Sequence, residues 1–302
     1  MTGRILLISL AVLVAPAASA DTAAVERTFL ERAAISAADK NCNLFTDGER
    51  YALKAGLYQA EGELLRANYD AAEISKLARE VSLHARTLGC DHPSVIQVAG
   101  QVRNSYRQFQ MTGFIEYPAG NSTWGASRSE HDLWAVSQSD AKTGAYIGLR
   151  RTDKPDELLL AVAVPGVGRP PAAVQLFIRD PKKMSEPWLG TVFGAKAALA
   201  LPPRSVSRPE WAGKFEQEED SVGDQYFVYY FSAAALERLE ALDPREAVQL
   251  ELTPSPMSKD KTVVRVAFEI GDLRAAHYFC LIPAPAYTEP PAAVKVAAKG
   301  GH

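Results

Sequence analysis

Cys42-Asn-Leu-Phe-Thr-Asp-Gly-Glu49 is the stretch on which the fold turns. Thr46-Asp-Gly-Glu49 is a capping-box pattern. The Thr46 hydroxyl can accept from the Glu49 backbone N–H, and the Glu49 carboxylate can reach back. A helix therefore starts after Thr46, with Leu53, Leu57, Ala60 and Leu64 on one face. An earlier helix, from about Thr22 to Lys40, must end just before Cys42.

Two more helices follow by the same logic. Asp70-Ala-Ala-Glu73 opens a third, striped with Ile74, Leu77, Val81 and Leu88. Asp91-His-Pro93 opens a fourth, with proline near the first helical position and a stripe of Val95, Val98, Val102, Tyr106 and Phe109. Short connections make successive helices antiparallel, so the simplest packing is an up-down four-helix bundle over residues 21–114. Helices one and three then point the same way. Cys42 and Cys90 end those helices and lie at one pole, which predicts a Cys42–Cys90 disulfide. Closing that loop of 49 residues is worth about 4 kcal/mol in the chain-entropy model. Without a C-x-x-C pattern, the pair reads as structural rather than redox-active. Cys280 lies in Tyr278-Phe-Cys-Leu-Ile282, where a buried inert thiol is expected.

Residues 1–20 read as a secretory signal peptide. Arg4 precedes the apolar run Ile5–Val14, and Ala18-Ser-Ala20 supplies small residues at the cleavage site. The expected compartment is the periplasm, where thiols oxidise. The apolar run is shorter than the roughly 20 residues a membrane span needs, so no stable span is expected. Without Arg4 the chain carries 32 basic and 36 acidic residues. That balance lacks the basic face that nucleic-acid binding requires.

After Gly113 the periodicity changes. Residues 115–130 read as a turn-rich connector around Tyr117-Pro-Ala-Gly-Asn-Ser-Thr123. Short strand-like runs follow at Asp132–Gln138, Ala145–Thr152, Glu157–Val164, Ala173–Arg179, Gln225–Phe231, Ala247–Thr253 and Thr262–Ile270. Two short helices, Ser232–Leu242 and Asp272–Phe279, sit among them. The expectation is an α+β chain, with an antiparallel β-sandwich-like domain with short helices over 131–282 and a disordered tail over 283–302. Residues 181–222 are interrupted by proline and give no clear assignment.

Phe231-Ser-Ala-Ala-Ala-Leu-Glu-Arg-Leu-Glu-Ala-Leu242, the strand Val263–Ile270 and Gly271-Asp-Leu-Arg-Ala-Ala276 resemble the end of the secreted invasion-associated locus B-like family. The resemblance covers residues 225–281. It implies a periplasmic β-sandwich without known catalytic residues. The chain departs from that family in lacking a cysteine pair upstream of the short helix. The Cys42-Asn-Leu-Phe45 junction is similar to that of secreted bacterial proteins.

The chemistry-bearing residues point away from known catalytic patterns. His84 faces away from Val81 and Leu88, and His92 begins a helix. A metal site of His84, His92 and Asp91 matches no zinc spacing, so no metal is expected. His131, in Ser129-Glu-His-Asp132, has no Gly-x-Ser-x-Gly elbow beside it and reads as the lead-in to a strand. Glu216-Gln-Glu-Glu-Asp220 is consecutive rather than alternating, and reads as a solvated loop rather than a calcium site. Phosphate loops, haem attachment motifs and dinucleotide fingerprints are absent, so no cofactor is expected. Of the four tryptophans, Trp188 and Trp211 fall in the irregular section and are the candidate binding residues.

The leading expectation is a non-enzymatic periplasmic interaction or ligand-binding protein, its partner an envelope protein or small ligand. The alternative is a metal-independent hydrolase of envelope material, using carboxylates such as Glu130 and Asp132 near the junction of the two halves. A thiol-disulfide enzyme is the third reading and would need an exposed, low-pKa cysteine.

Overall fold

The computed structural model describes residues 22–154, 157–189, 200–219 and 223–283. The expected signal peptide, and the expected tail beyond Pro283, lie outside them.

The chain is α+β, and the described residues form six helices and two antiparallel sheets. The first four helices are α1 (Thr22–Cys42), α2 (Asp47–Arg66), α3 (Ala71–Thr87) and α4 (Pro93–Gln110). Local chemistry starts three of them as read. Both halves of the Thr46–Glu49 capping box form, Asp70 accepts from the N–H groups of Ala72 and Glu73, and Pro93 opens α4. Cys42 and Cys90 are joined, their Cα atoms 5.5 Å apart. α1 and α3 run the same way, since Ala33 faces Ser82 (3.5 Å, Ser82 Oγ to the Ala33 carbonyl) and Asn41 faces Arg86 (3.4 Å).

The four helices do not close the ring of sequential neighbours expected of an up-down bundle. α3 lies along α1, α1 also packs on α2, and α4 packs mainly on α2. A further face of α2 is taken by a helix from the far end of the chain, α6 (Leu273–Cys280). α3 buries only Ile74 and Ala85 among its 17 residues, too narrow a stripe to seat it in a central position.

The larger sheet holds β1 (Phe114–Ala119), β2 (Ser122–Ser127), β3 (Trp134–Asp140), β4 (Ala145–Arg151), β5 (Leu158–Pro165), β8 (Lys214–Glu219) and β9 (Gln225–Tyr230). Their order is β1-β2-β3-β4-β5-β9-β8. The smaller holds β6 (Ala173–Arg179), β7 (Ser207–Trp211), β10 (Ala247–Thr253) and β11 (Val264–Glu269), ordered β11-β10-β6-β7. Helix α5 (Ala233–Glu240) precedes β10, and α6 (Leu273–Cys280) follows β11.

Two expectations are corrected here. Residues 115–130 are not a connector, because most of them form the hairpin β1–β2, turning at Gly120-Asn121. The acidic run at 216–219 is not a loop but strand β8, whose partner is β9. Both β1 and β8 are edge strands, where proline and charge are tolerated because one side of the backbone has no strand to pair with.

Alternate side chains of both sheets enter one apolar cluster: Leu158, Leu160, Val162 and Val164 from β5, Val174, Leu176 and Ile178 from β6, and Val248, Leu250 and Leu252 from β10. The Gln138 side chain crosses between the sheets, bonding both the N–H and the carbonyl of Glu269. α6 contributes Leu273, Ala275, Ala276 and Phe279 to the same cluster, and α2 contributes Ala52 and Ala55. The helical and strand-rich halves thus share core contacts along the α2–α6 seam.

Polar anchors fix that seam. Arg66 of α2 grips Asp272 with two bonds, at 2.6 and 2.9 Å. The buried Arg128 guanidinium donates to the carbonyls of Phe109 and Thr112 at the end of α4, and of Ile282 and Pro283 after α6. Gly271 sits at φ +47°, and a Cβ there would lie 2.3 Å from Ala119 Cα, so glycine is required where the chain turns into α6.

Candidate functional site

The most chemically varied surface lies on the α2–α6 seam. Lys54, Tyr58 and Glu61 recur on one face of α2 at helical spacing. Arg274, His277 and Tyr278 of α6 face them, and Glu240 arrives from the end of α5. α5 is started by Ser232, whose hydroxyl accepts from the Ala235 N–H.

The Arg274 guanidinium carbon lies 3.6 Å from the Tyr58 ring centroid. Tyr58 and Tyr278 are 5.4 Å apart by ring centroids, and Lys54 Nζ lies 4.8 Å from the Tyr278 centroid. His277 Nδ1 pairs with Glu240 Oε1 at 2.5 Å, its ring stacked on that of Tyr278. Burial raises the Glu61 carboxyl above its ordinary range, with nearby Arg274 opposing the shift. Burial likewise raises the Tyr58 and Tyr278 hydroxyls. Asp272 is raised by burial too, with Arg66 opposing.

Two adjoining cavities open here. The first, about 420 Å³, lies where α2 and α3 meet α5 and α6, with Ser185–Pro187 on its rim. The second, about 480 Å³, is a trough over α1 with α2 and α3 as its walls. They share Tyr58, Glu61, Ser75 and Arg274, so they lie side by side along one cleft lined by α2, α3 and the seam. Each falls within the roughly 300–1,000 Å³ of small-ligand sites.

The residues singled out from the sequence lie elsewhere. Trp188 is half-buried, and its backbone N–H donates to Glu246 Oε1 at 3.0 Å. It follows the Ser185–Pro187 rim without lining the cavity. Trp211 lies on β7, the edge of the smaller sheet, and is 60% exposed. Nothing on the seam brings the two together. Glu130 and Asp132 are exposed near the start of β3, where Asp132 accepts from the Ser127 hydroxyl. His84 and His131 are exposed, and His92 caps α4, its Nδ1 accepting from the Ser94 N–H. Cys280 is buried against the Ala135 carbonyl, and burial pushes its thiol up to about 12. Among the described residues, no group of three or more His, Cys, Asp or Glu is placed to hold a metal ion. No helix among them is long and apolar enough to cross a membrane.

Sequence reasoning missed the seam cluster because its α2 and α6 parts lie over 200 positions apart, in helices whose neighbour relations the sequence does not state. The one available signal was the polar, aromatic face of α2 at Lys54, Tyr58 and Glu61, which flanks its apolar stripe. No family model, curated protein or solved structure matches this chain.

Proposed function

We propose that the chain is a non-enzymatic binding protein of the periplasm, and that the cleft along the seam is where it holds its ligand. In this reading residues 1–20 direct export, the four N-terminal helices form a bundle-like layer, and the two sheets are a sandwich-like scaffold. The order of elements over residues 225–281 (strand, short helix, two strands, glycine, short helix) supports keeping the resemblance to the invasion-associated locus B-like family within the proposal.

The observation that carries the reading is that the two neighbouring cavities share Tyr58, Glu61, Ser75 and Arg274 in their linings. Aromatic faces, one arginine and half-buried titratable groups converge there, the composition typical of ligand sites. The test is thermal unfolding with a panel of envelope components: phospholipid, lipopolysaccharide and peptidoglycan fragments. One class should raise Tm by about 5 °C at a hundredfold excess over Kd. Ser75→Trp, which fills the shared waist of the cleft, should abolish the shift. An unshifted wild type, or a variant shifted equally, rules out the cleft.

A hydrolase is the second reading, favoured by one observation. Glu61 is a carboxyl raised by burial, and it lines the same cavity as Glu240, which is paired with His277. Such a group could serve as a general acid. It moves the alternative from Glu130 and Asp132 to the seam. Turnover of peptidoglycan fragments that is lost in Glu61→Gln would establish it, and binding without turnover excludes it.

A further inference from the structure

The trough over α1 has a direction. Because α1 and α3 run parallel, Phe29 and Ile74 meet at one end, packed in a single apolar cluster with Leu57 at its edge. Lys40 and Arg86 stand at the other end, with Arg79 between. From Phe29 to Lys40 is eleven residues of α1, about 16 Å at 1.5 Å per residue. From Ile74 to Arg86 is twelve residues of α3, about 18 Å. Between the two ends the trough is lined by small side chains, Ala33, Ser36 and Ala37 of α1 and Ser75, Ala78 and Ser82 of α3.

None of the three cations forms an ion pair among the described residues, although all are exposed on the same trough. The trough's one carboxyl, Glu61, lies towards the opposite end, beside Arg274. The Cys42–Cys90 bond closes α1 to α3 just beyond Lys40 and Arg86, which holds the positive end together. A chain whose net charge is acidic thus carries an uncompensated cationic pole at one end of a groove whose other end is apolar.

We infer that the trough binds a single anionic amphiphile, its carboxylate or phosphate head at Lys40, Arg79 and Arg86 and its apolar tail running towards Phe29, Leu57 and Ile74. This rests on the reading of the seam as a ligand cleft and adds the ligand's class. At the apolar end Arg274 is offset by the neighbouring Glu61, whereas Lys40, Arg79 and Arg86 have no ion-pair partner among the described residues, so net positive charge lies away from that end, which favours a head-and-tail molecule over a uniformly acidic helix.

The test is calorimetric titration of the full-length protein with laurate and dodecyl phosphate below their micelle concentrations. Dodecyl maltoside serves as the neutral-head control, inorganic phosphate as the head alone, and a polyglutamate peptide as the acidic chain. Phosphatidylglycerol vesicles, read by co-sedimentation, separate a single molecule from a bilayer surface. The inference expects one laurate or dodecyl phosphate per chain, weakened about fivefold by each of Arg79→Ala and Arg86→Ala, with the remaining probes much weaker. These variants change exposed side chains, and circular dichroism confirms that they fold. Equal binding of dodecyl maltoside, with no effect of the arginine variants, overturns the head assignment but leaves the cleft standing. Polyglutamate or phosphate binding as tightly as laurate overturns the amphiphile. So does arginine-dependent vesicle binding without monomer binding. If no probe binds, the amphiphile is excluded, and the Ser75→Trp comparison above then decides separately whether the cleft binds anything else.

Discussion

In β5, Leu158, Leu160, Val162 and Val164 all enter one cluster that runs across both sheets, whereas α3 buries two side chains in 17 residues. The apolar clusters of the helical half are small. One gathers Ile35, Ala38, Phe45, Leu53, Val95 and Ala99, and the other Phe29, Ala60, Leu64, Leu65 and Ile74. The sheets are held by burial, spread over many strands. The helices are held by caps, a disulfide and the α2–α6 seam. The difference locates the cleft: a layer packed this thinly leaves a trough between α2 and α3, and the covalent clamp keeps that trough in shape.

Breaking the clamp is the largest expected change. Cys42→Ser with Cys90→Ser should cost about 4 kcal/mol, the entropy of a loop spanning 48 positions. In hydrogen exchange, α1 and α3 should lose protection well before the sheets. Uniform loss across the molecule would erase the contrast between the two halves. Leu160→Ala strikes the other side. At 2% exposure in the main cluster it should cost about 3 kcal/mol in urea unfolding. There both halves should lose protection together, because α2 shares that cluster through Ala52 and Ala55.

The smallest effect belongs to the seam. Burial holds the Glu61 carboxyl above its ordinary 4.5, so the folded state takes up its proton more readily than the unfolded chain. The ionised group therefore works against the fold. That cost is complete above the folded value and fades as pH falls towards 4.5. Glu61→Gln should be the more stable protein at pH 7, with the gap closing by about pH 4 when urea midpoints are compared. A less stable variant at pH 7 would mean that attraction to Arg274 outweighs burial.

Elements defined by their own neighbours in sequence were legible. The capping residues Thr46, Asp70 and Ser232 set three helix starts, and the strands at 173–179 and 247–253 begin and end as their alternation indicates. The strands that escaped are mostly sheet edges. β1 carries Pro118, β7 carries Pro209, and β8 reads Lys-Phe-Glu-Gln-Glu-Glu. Edge positions relax the demand for alternating apolar residues, so their pattern resembles a loop. Trp124 of β2 was obscured by the same turn-rich surroundings. It is 2% exposed, and its indole N–H donates to the Ile270 carbonyl at 2.7 Å.

Local hydrogen bonding and helical period were enough to give the helices, the inner strands other than β2, and the pole at which Cys42 and Cys90 meet. Tertiary packing alone decided that α3 would lie beside α1, that α6 would return to cover α2, and that Lys40, Arg79, Arg86 and Arg274 would line one trough. The reason is physical. Caps and periodicity act over three or four residues, whereas a cleft is set by which apolar stripes are wide enough to be covered, and that depends on every other stripe in the chain.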